Sequence, residues 1–186
     1  MKTHSISRFK YNFRAPGLQV EGPIQYAFGR TDRDTVLVGK SHHGICAIFL
    51  GENEQHLLSQ LETAFPTIEL NSAQHAMVRE LTQVIAFIEN DAADGVVPLD
   101  IGGTLFQQRV WQALCEIPAG ETRSYSDVAK QLGVPDAVRA VAGACAANVL
   151  AIAIPCHRVV RQDGSISGYR WGVERKRDLL AEECAR

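Results

Sequence analysis

Between residues 24 and 50 the apolar positions fall into three short runs, 24–30, 35–40 and 44–50, parted by Asp32-Arg33-Asp34 and His42-His43-Gly44. Short runs bounded by turn signals predict β-strands, and tight antiparallel connections are the simplest way to join them. The spacing then changes. Residues 54–65 and 73–90 predict helices, the second with Met77, Leu81, Val84, Ile85 and Ile88 recurring at three and four on one face. Residues 1–22 are polar, contain Pro16 and Gly17, and read as an irregular lead-in to a small α/β domain spanning 1–95.

Residues 91–103, with three glycines and Pro98, predict the joint to a second domain, 103–186, whose pattern is helical. Thr104 is a candidate N-cap for a helix carrying Phe106, Val110, Trp111 and Leu114, which ends before Pro118. Ser124 or Tyr125 opens a short helix through Leu132, Gly133-Val134-Pro135 breaks it, and Asp136 is the expected cap of a second, 137–147. Two short helices around a glycine-containing turn outline a helix-turn-helix. The second helix is almost bare: Ala137, Ala140, Ala142, Gly143, Ala144, Ala146 and Ala147 surround a single cation, Arg139. Such a helix suits close approach to another surface, or equally tight packing inside the protein.

Composition narrows the classes. The 186 residues are 46% apolar and 22% charged, those of an ordinary globular protein, and no apolar run approaches the ~20 residues of a membrane helix. The N-terminus lacks the apolar core of a secretory signal, so a cytoplasmic location is expected. Five scattered cysteines, never paired as C-x-x-C, argue against a disulfide framework. Cys46 with His42, His43, His56 and His75 makes no convincing ligand set, so no metal is expected. The net charge of −2 is unevenly spread: residues 1–100 hold 8 Lys and Arg against 12 Asp and Glu, residues 101–186 hold 11 against 9. That mild excess does not by itself indicate nucleic acid.

Candidate chemistry concentrates at Pro155-Cys156-His157-Arg158, which follows the apolar run 149–154. A cysteine beside a histidine is raw material for nucleophilic catalysis, because the thiolate is the reactive form and a neighbouring base can generate it. Together with Gly103-Thr104-Leu105-Phe106-Gln107, Gly120 to Tyr125, Arg139-Ala140-Val141-Ala142, Asn148 and Ser167-Gly168-Tyr169-Arg170-Trp171-Gly172, this core resembles the O6-alkylguanine-DNA alkyltransferases. The similarity covers roughly residues 24–186 and is greatest to the bacterial Ada-type C-terminal catalytic domain.

The resemblance implies an α+β fold: an N-terminal three-stranded antiparallel sheet with helices, ribonuclease H-like, then a mostly helical, winged helix-turn-helix-like domain. It implies a monomer that binds duplex DNA in the minor groove, extrudes an O6-alkylguanine or O4-alkylthymine, and transfers the alkyl group irreversibly to Cys156. No cofactor is implied. His157, working through a water, takes the thiol proton, oriented by a glutamate of the last helix at Glu183, with Glu182 the neighbouring alternative. Asn148 bridges the recognition helix to the active-site turn, and Tyr125 presses on the target phosphate and hydrogen-bonds the flipped base. Arg139 enters the base stack, with Ala140 and Gly143 on the same DNA-facing helix. Pro155, Val159, Ser167, Gly168 and Tyr169 line the substrate pocket, and Gly168 leaves room for the alkyl group.

Three rivals fit the residues less well. Alkyltransferase-like proteins bind lesions without transfer because tryptophan replaces the reactive cysteine, whereas this chain has Cys156. A sequence-specific helix-turn-helix regulator needs base-reading side chains that the bare second helix lacks. A cysteine hydrolase normally has its histidine far off in sequence. The zinc-bearing regulatory domain of Ada proteins has no counterpart cysteines here, so transcriptional regulation is not expected. Cys145 is expected to be core filler, with secondary alkylation the lesser reading.

Overall fold

The computed structural model describes residues 8–90 and 95–185 and divides after Gly102 into two compact units. Residues 91–94 of the expected joint lie outside the described residues, as do residues 1–7 of the lead-in.

The first unit is built on a six-stranded mixed sheet in the order β1-β6-β4-β3-β2-β5. Its centre is the expected antiparallel set, β2 (Ile24–Arg30), β3 (Thr35–Ser41) and β4 (Gly44–Gly51). Three further strands enlarge it, all pairing in parallel: β1 (Phe9–Phe13), β5 (Leu70–Ser72) and β6 (Val97–Ile101). The three-stranded sheet is therefore corrected to six, and the irregular lead-in to one containing a strand. The physical reason lies in the pairing. β1 bonds to β6 from Phe9↔Val97 to Phe13↔Ile101, a partner 88 positions along the chain that no local pattern announces.

Every residue of β4 is buried, as are six of the seven in β3, so these strands are covered on both faces and their cores, Val36–Val38 and Ile45–Leu50, are continuous apolar runs rather than alternating. Helix α1 (Glu54–Ala64), capped by the Asn53 side chain on the His56 amide, packs Leu57 and Leu61 against β3 and β4. Each wholly buried leucine contributes about 1.5–3 kcal/mol. Helix α2 (Val78–Ile88) lies on β2 and β3 through Leu81 and Val84. The buried Asp100 carboxylate of β6 takes the Ser41 hydroxyl at 2.5 Å and the Arg14 guanidinium at 3.5 Å, tying three segments together. Gly44 has a φ of +150°, and a Cβ there would stand 2.5 Å from the Pro98 carbonyl oxygen, so β4 and β6 can meet only at a glycine.

The second unit is helical: α3 (Leu105–Cys115), α4 (Tyr125–Gln131), α5 (Val138–Ala146) and α6 (Val173–Cys184), with a 3-10 turn at Cys156–Arg158 and a two-stranded parallel ladder of β7 (Arg123–Ser124) and β8 (Val159–Val160). Thr104 and Gln107 form a reciprocal capping box at α3, and Ser124 and Asp127 form another at α4. Asp136 does not cap α5. The N-cap is Ala137, without a side-chain bond, because the helix begins one residue later than expected. Trp111 Nε1 of α3 donates to the Ala144 carbonyl of α5 at 2.9 Å and fixes the two helices to each other.

Candidate active site

Three local devices assemble the site in the second unit. The run 149–154 forms neither helix nor strand; it is a buried loop in which Ile152 takes a φ of +66°. That region is strained for a β-branched residue, so something must hold the loop. Asn148 does. Its Oδ1 accepts the Leu150 amide at 2.9 Å, while Nδ2 is shared among the Leu150 carbonyl at 3.3 Å, the Ile154 carbonyl at 3.0 Å and Cys156 Sγ at 3.2 Å. One fully buried amide thus fixes both the loop and the sulfur at its end.

The 3-10 turn then points His157 and Arg158 at α6. His157 Nε2 lies 2.8 Å from Glu183 Oε1, and Arg158 grips the same carboxylate with Nε at 3.0 Å to Oε2 and Nη2 at 2.8 Å to Oε1. Arg158 Nη1 also donates to the Ile117 carbonyl at 2.6 Å. The glutamate at the imidazole is Glu183 rather than Glu182. An ionised carboxylate can only accept, so Nε2 carries the proton and Nδ1 keeps its lone pair. Among the described residues that buried Nδ1 has no hydrogen-bond partner, which leaves it available as a base.

Burial governs the protonation states. Desolvation pushes the Cys156 thiol up to about 11, against the smaller opposing effects of the Asn148 hydrogen bond and the Lys176 charge. It holds His157 below its ordinary value although Glu183 pulls the other way, so the imidazole is neutral near pH 7. Desolvation is also the largest influence on Glu183, in the upward direction, but the hydrogen bonds and charges of His157 and Arg158 together outweigh it and bring the carboxyl down to about 2. At rest the site holds a thiol, a neutral base and a carboxylate. It is loaded but not discharged.

The β7–β8 ladder brings α4 beside this turn: Ser124 pairs with Val160, and the next residue, Tyr125, places its hydroxyl 2.8 Å from Ser167 Oγ. Burial raises the Tyr125 phenol, so it stays a donor. Pro155 and Val159 are buried, Ser167 and Tyr169 half-buried, and Gly168 exposed with open space where a Cβ would stand. Arg139, Ala140 and Gly143 are exposed on α5, opposite its buried Val141, Ala144 and Cys145.

Two side chains were missed from the sequence. The sequence pattern assigns Arg158 no role, and its one signal is adjacency to His157. Lys176 is wholly buried, with Nζ donating to the Val159 carbonyl at 2.6 Å, and nothing in a helix so rich in charge distinguishes it from its neighbours. No group of three or more His, Cys, Asp or Glu among the described residues could hold a metal ion, and no helix is long and apolar enough to cross a membrane.

Comparison with known proteins places this geometry. A family model described as 6-O-methylguanine DNA methyltransferase, DNA binding domain, matches residues 105–185. The inducible methylated-DNA–protein-cysteine methyltransferase of Bacillus subtilis is 40% identical over 136 residues, 72% of this chain and 76% of that protein. The bifunctional transcriptional activator/DNA repair enzyme Ada of Escherichia coli is 51% identical over 161 residues, 87% of this chain but 46% of that protein. The chain thus spans about half the length of the Ada relatives it matches. The crystal structure of the Mycobacterium tuberculosis O6-methylguanine methyltransferase superposes with a TM-score of 0.70 at 33% identity, covering 88% of this chain and 94% of that one. The complex of the Mycobacterium tuberculosis protein with DNA gives 0.69 at the same identity, covering 87% and 93%.

Proposed function

The chain belongs to the methylated-DNA–protein-cysteine methyltransferase family, and from that premise we propose that it is a direct-reversal DNA repair protein transferring the alkyl group of O6-alkylguanine, and of O4-alkylthymine, to its own Cys156. One observation carries the reading. Cys156 Sγ receives an Asn148 N–H in a turn whose next residue, His157, keeps Nδ1 open and Nε2 bound to Glu183.

His157 Nδ1 takes the thiol proton through a solvent molecule, and Glu183 stabilises the imidazolium that forms. The thiolate sulfur attacks the alkyl carbon, the carbon–O6 bond breaks, and its electron pair leaves with the guanine. The Tyr125 hydroxyl, held by Ser167, is a donor for the charge developing on that leaving group. The product is a thioether. Neither water nor the neutral His157 readily cleaves a thioether, so each molecule acts once.

The target carbon is inside the base stack, so the nucleotide must be extruded, at a cost of a few kcal/mol. The exposed face of α5, with Arg139 beside Ala140 and Gly143, suits entry into the narrow minor groove, Arg139 filling the gap left behind. This reading takes the second unit as a winged helix-turn-helix-like DNA-binding and catalytic domain and the first as ribonuclease H-like. The protein would act as a monomer in the cytoplasm, without cofactor or metal.

The test is the intact mass of the protein after incubation with duplex DNA containing O6-methylguanine. Transfer adds one CH2 per molecule, and Cys156→Ala abolishes the gain. Lesion binding without a mass change would favour a binding-only protein, and repeated turnover would favour a hydrolase.

A further inference from the structure

Lys176 is the one cation whose side chain is fully enclosed among the described residues. An ammonium removed from water needs hydrogen bonds and a counter-charge, and otherwise costs several kcal/mol. Its Nζ donates to one acceptor, the Val159 carbonyl at 2.6 Å, and stands 6.0 Å from the centroid of the Tyr125 ring. Two of its three N–H bonds therefore have no protein acceptor among the described residues. Among the described residues no carboxylate pairs with it either, and Glu183 is bound to His157 and Arg158. The Tyr125 ring of α4 stands beside it, and its charge is felt by Cys145 of α5 and by Cys156 and His157 of the 3-10 turn. All are neutral at rest. The cation is present and its anion is not.

We infer that Lys176 is the fixed counter-cation of the Cys156 thiolate, a positioning residue whose partner charge exists only once the nucleophile has been made. The inference rests on the proposed transfer reaction and identifies what holds the sulfur's charge during attack. Val159 follows Cys156 by three residues, so the bond from Lys176 anchors the ammonium to the backbone that carries the nucleophile. Electrostatics agree in direction: the Lys176 charge opposes the burial that raises the thiol, with Arg170 acting the same way but less strongly, and Cys156 is the foremost charge partner supporting the protonated lysine, ahead of Cys145. Tyr125 adds a ring face rather than a charge, as its phenol is held protonated. The proton that leaves Cys156 goes to His157, and Lys176 neither gives nor takes one.

The test separates charge from packing and from the reading itself. The Cys156 thiolate is titrated by its ultraviolet absorbance without DNA, as the difference between each variant and the same variant carrying Cys156→Ser. Methyl transfer from an O6-methylguanine duplex is followed in single turnover across a pH series. Lys176→Met removes charge and hydrogen bond, Lys176→Gln retains a donor for Val159, and Lys176→Arg retains the charge. The expected result is a thiolate titration about one unit higher in both neutral variants. Transfer near neutral pH should be about tenfold slower in them, recovering as the pH rises, with Lys176→Arg closer to the parent. An unchanged thiolate titration in whichever neutral variant folds, checked by thermal melting, overturns the inference. A titration that moves while the parent protein transfers no methyl group would support the counter-cation and defeat the transfer reaction.

Discussion

The Glu183 carboxylate closes on the His157 ring with Oε1 2.8 Å from Nε2, and in doing so fixes which imidazole nitrogen can act as a base. Arg158 holds the same carboxylate in place from the other side. Glu183→Gln removes the charge that stabilises the imidazolium and allows the amide to donate where the carboxylate accepted. Single-turnover transfer should slow about a hundredfold, the usual scale of an impaired acid–base group. A rate within twofold of the parent would mean that the tautomer is set by something else.

Asn148 is the second linchpin, and its failure should appear as instability before it appears as lost chemistry. Replacing it by Ala strands the buried Leu150 amide and takes one of two donors from the Ile154 carbonyl, which keeps the Cys156 amide, inside a loop already strained at Ile152. A loss of about 3 kcal/mol is expected, read as a lower denaturant midpoint with an unchanged m-value. An intact midpoint would show that the loop is held by its apolar packing alone.

Acid should unfold the second unit through the same cluster. The folded His157 is held below its ordinary 6.5, so its contribution is present above that value and is lost as the pH falls through it. Glu183 is depressed from 4.5 to about 2, so its contribution is present above 4.5 and disappears between there and about 2. The second step is on the order of 3 kcal/mol. Melting temperatures across that window should fall less steeply in Glu183→Gln than in the parent. Equal slopes would place the acid sensitivity in other carboxylates.

Legibility from the sequence followed the range of the interactions. Thr104 and Ser124 were readable as helix starts because a capping box is closed within three residues. The hairpin strands β2, β3 and β4 were readable because their turns are local. Strands β1 and β6 were not recognised, although Phe9-Lys10-Tyr11-Asn12-Phe13 and Val97-Pro98-Leu99-Asp100-Ile101 each alternate apolar and polar residues. Pro98 argued against a strand, and the pairing that justifies both is long-range. Asp136 misled for the opposite reason: it is a favoured cap residue lying one position too early. In the site, Cys156 and His157 declared themselves by adjacency. The burial of Lys176 was not legible, because the charged pattern of α6 conceals it.

The exposed face of α5 yields a prediction that separates folding from DNA handling. Gly143 has a helical backbone, and a Cβ there would meet nothing within 4 Å, so Gly143→Ala should fold without strain. Helix propensity should make it more stable by up to about 1 kcal/mol. Gly143→Phe should fold as well, because the same open direction accepts the ring, but it fills the space through which the helix would enter a groove. Arg139→Ala leaves that space open and removes the side chain offered to the base stack. Both variants should lose transfer from duplex DNA by about tenfold or more, the cost of an unassisted extrusion of a few kcal/mol. Transfer from the free base O6-methylguanine should stay unchanged, since a free base needs no extrusion and the Cys156–His157–Glu183 cluster is untouched. Duplex binding by Arg139→Ala should also fall somewhat less steeply with salt, because one cation fewer enters the DNA's counterion atmosphere. If the free-base reaction fell in parallel with the duplex reaction, α5 would be acting on the thiol through Cys145 and Asn148 rather than on the DNA.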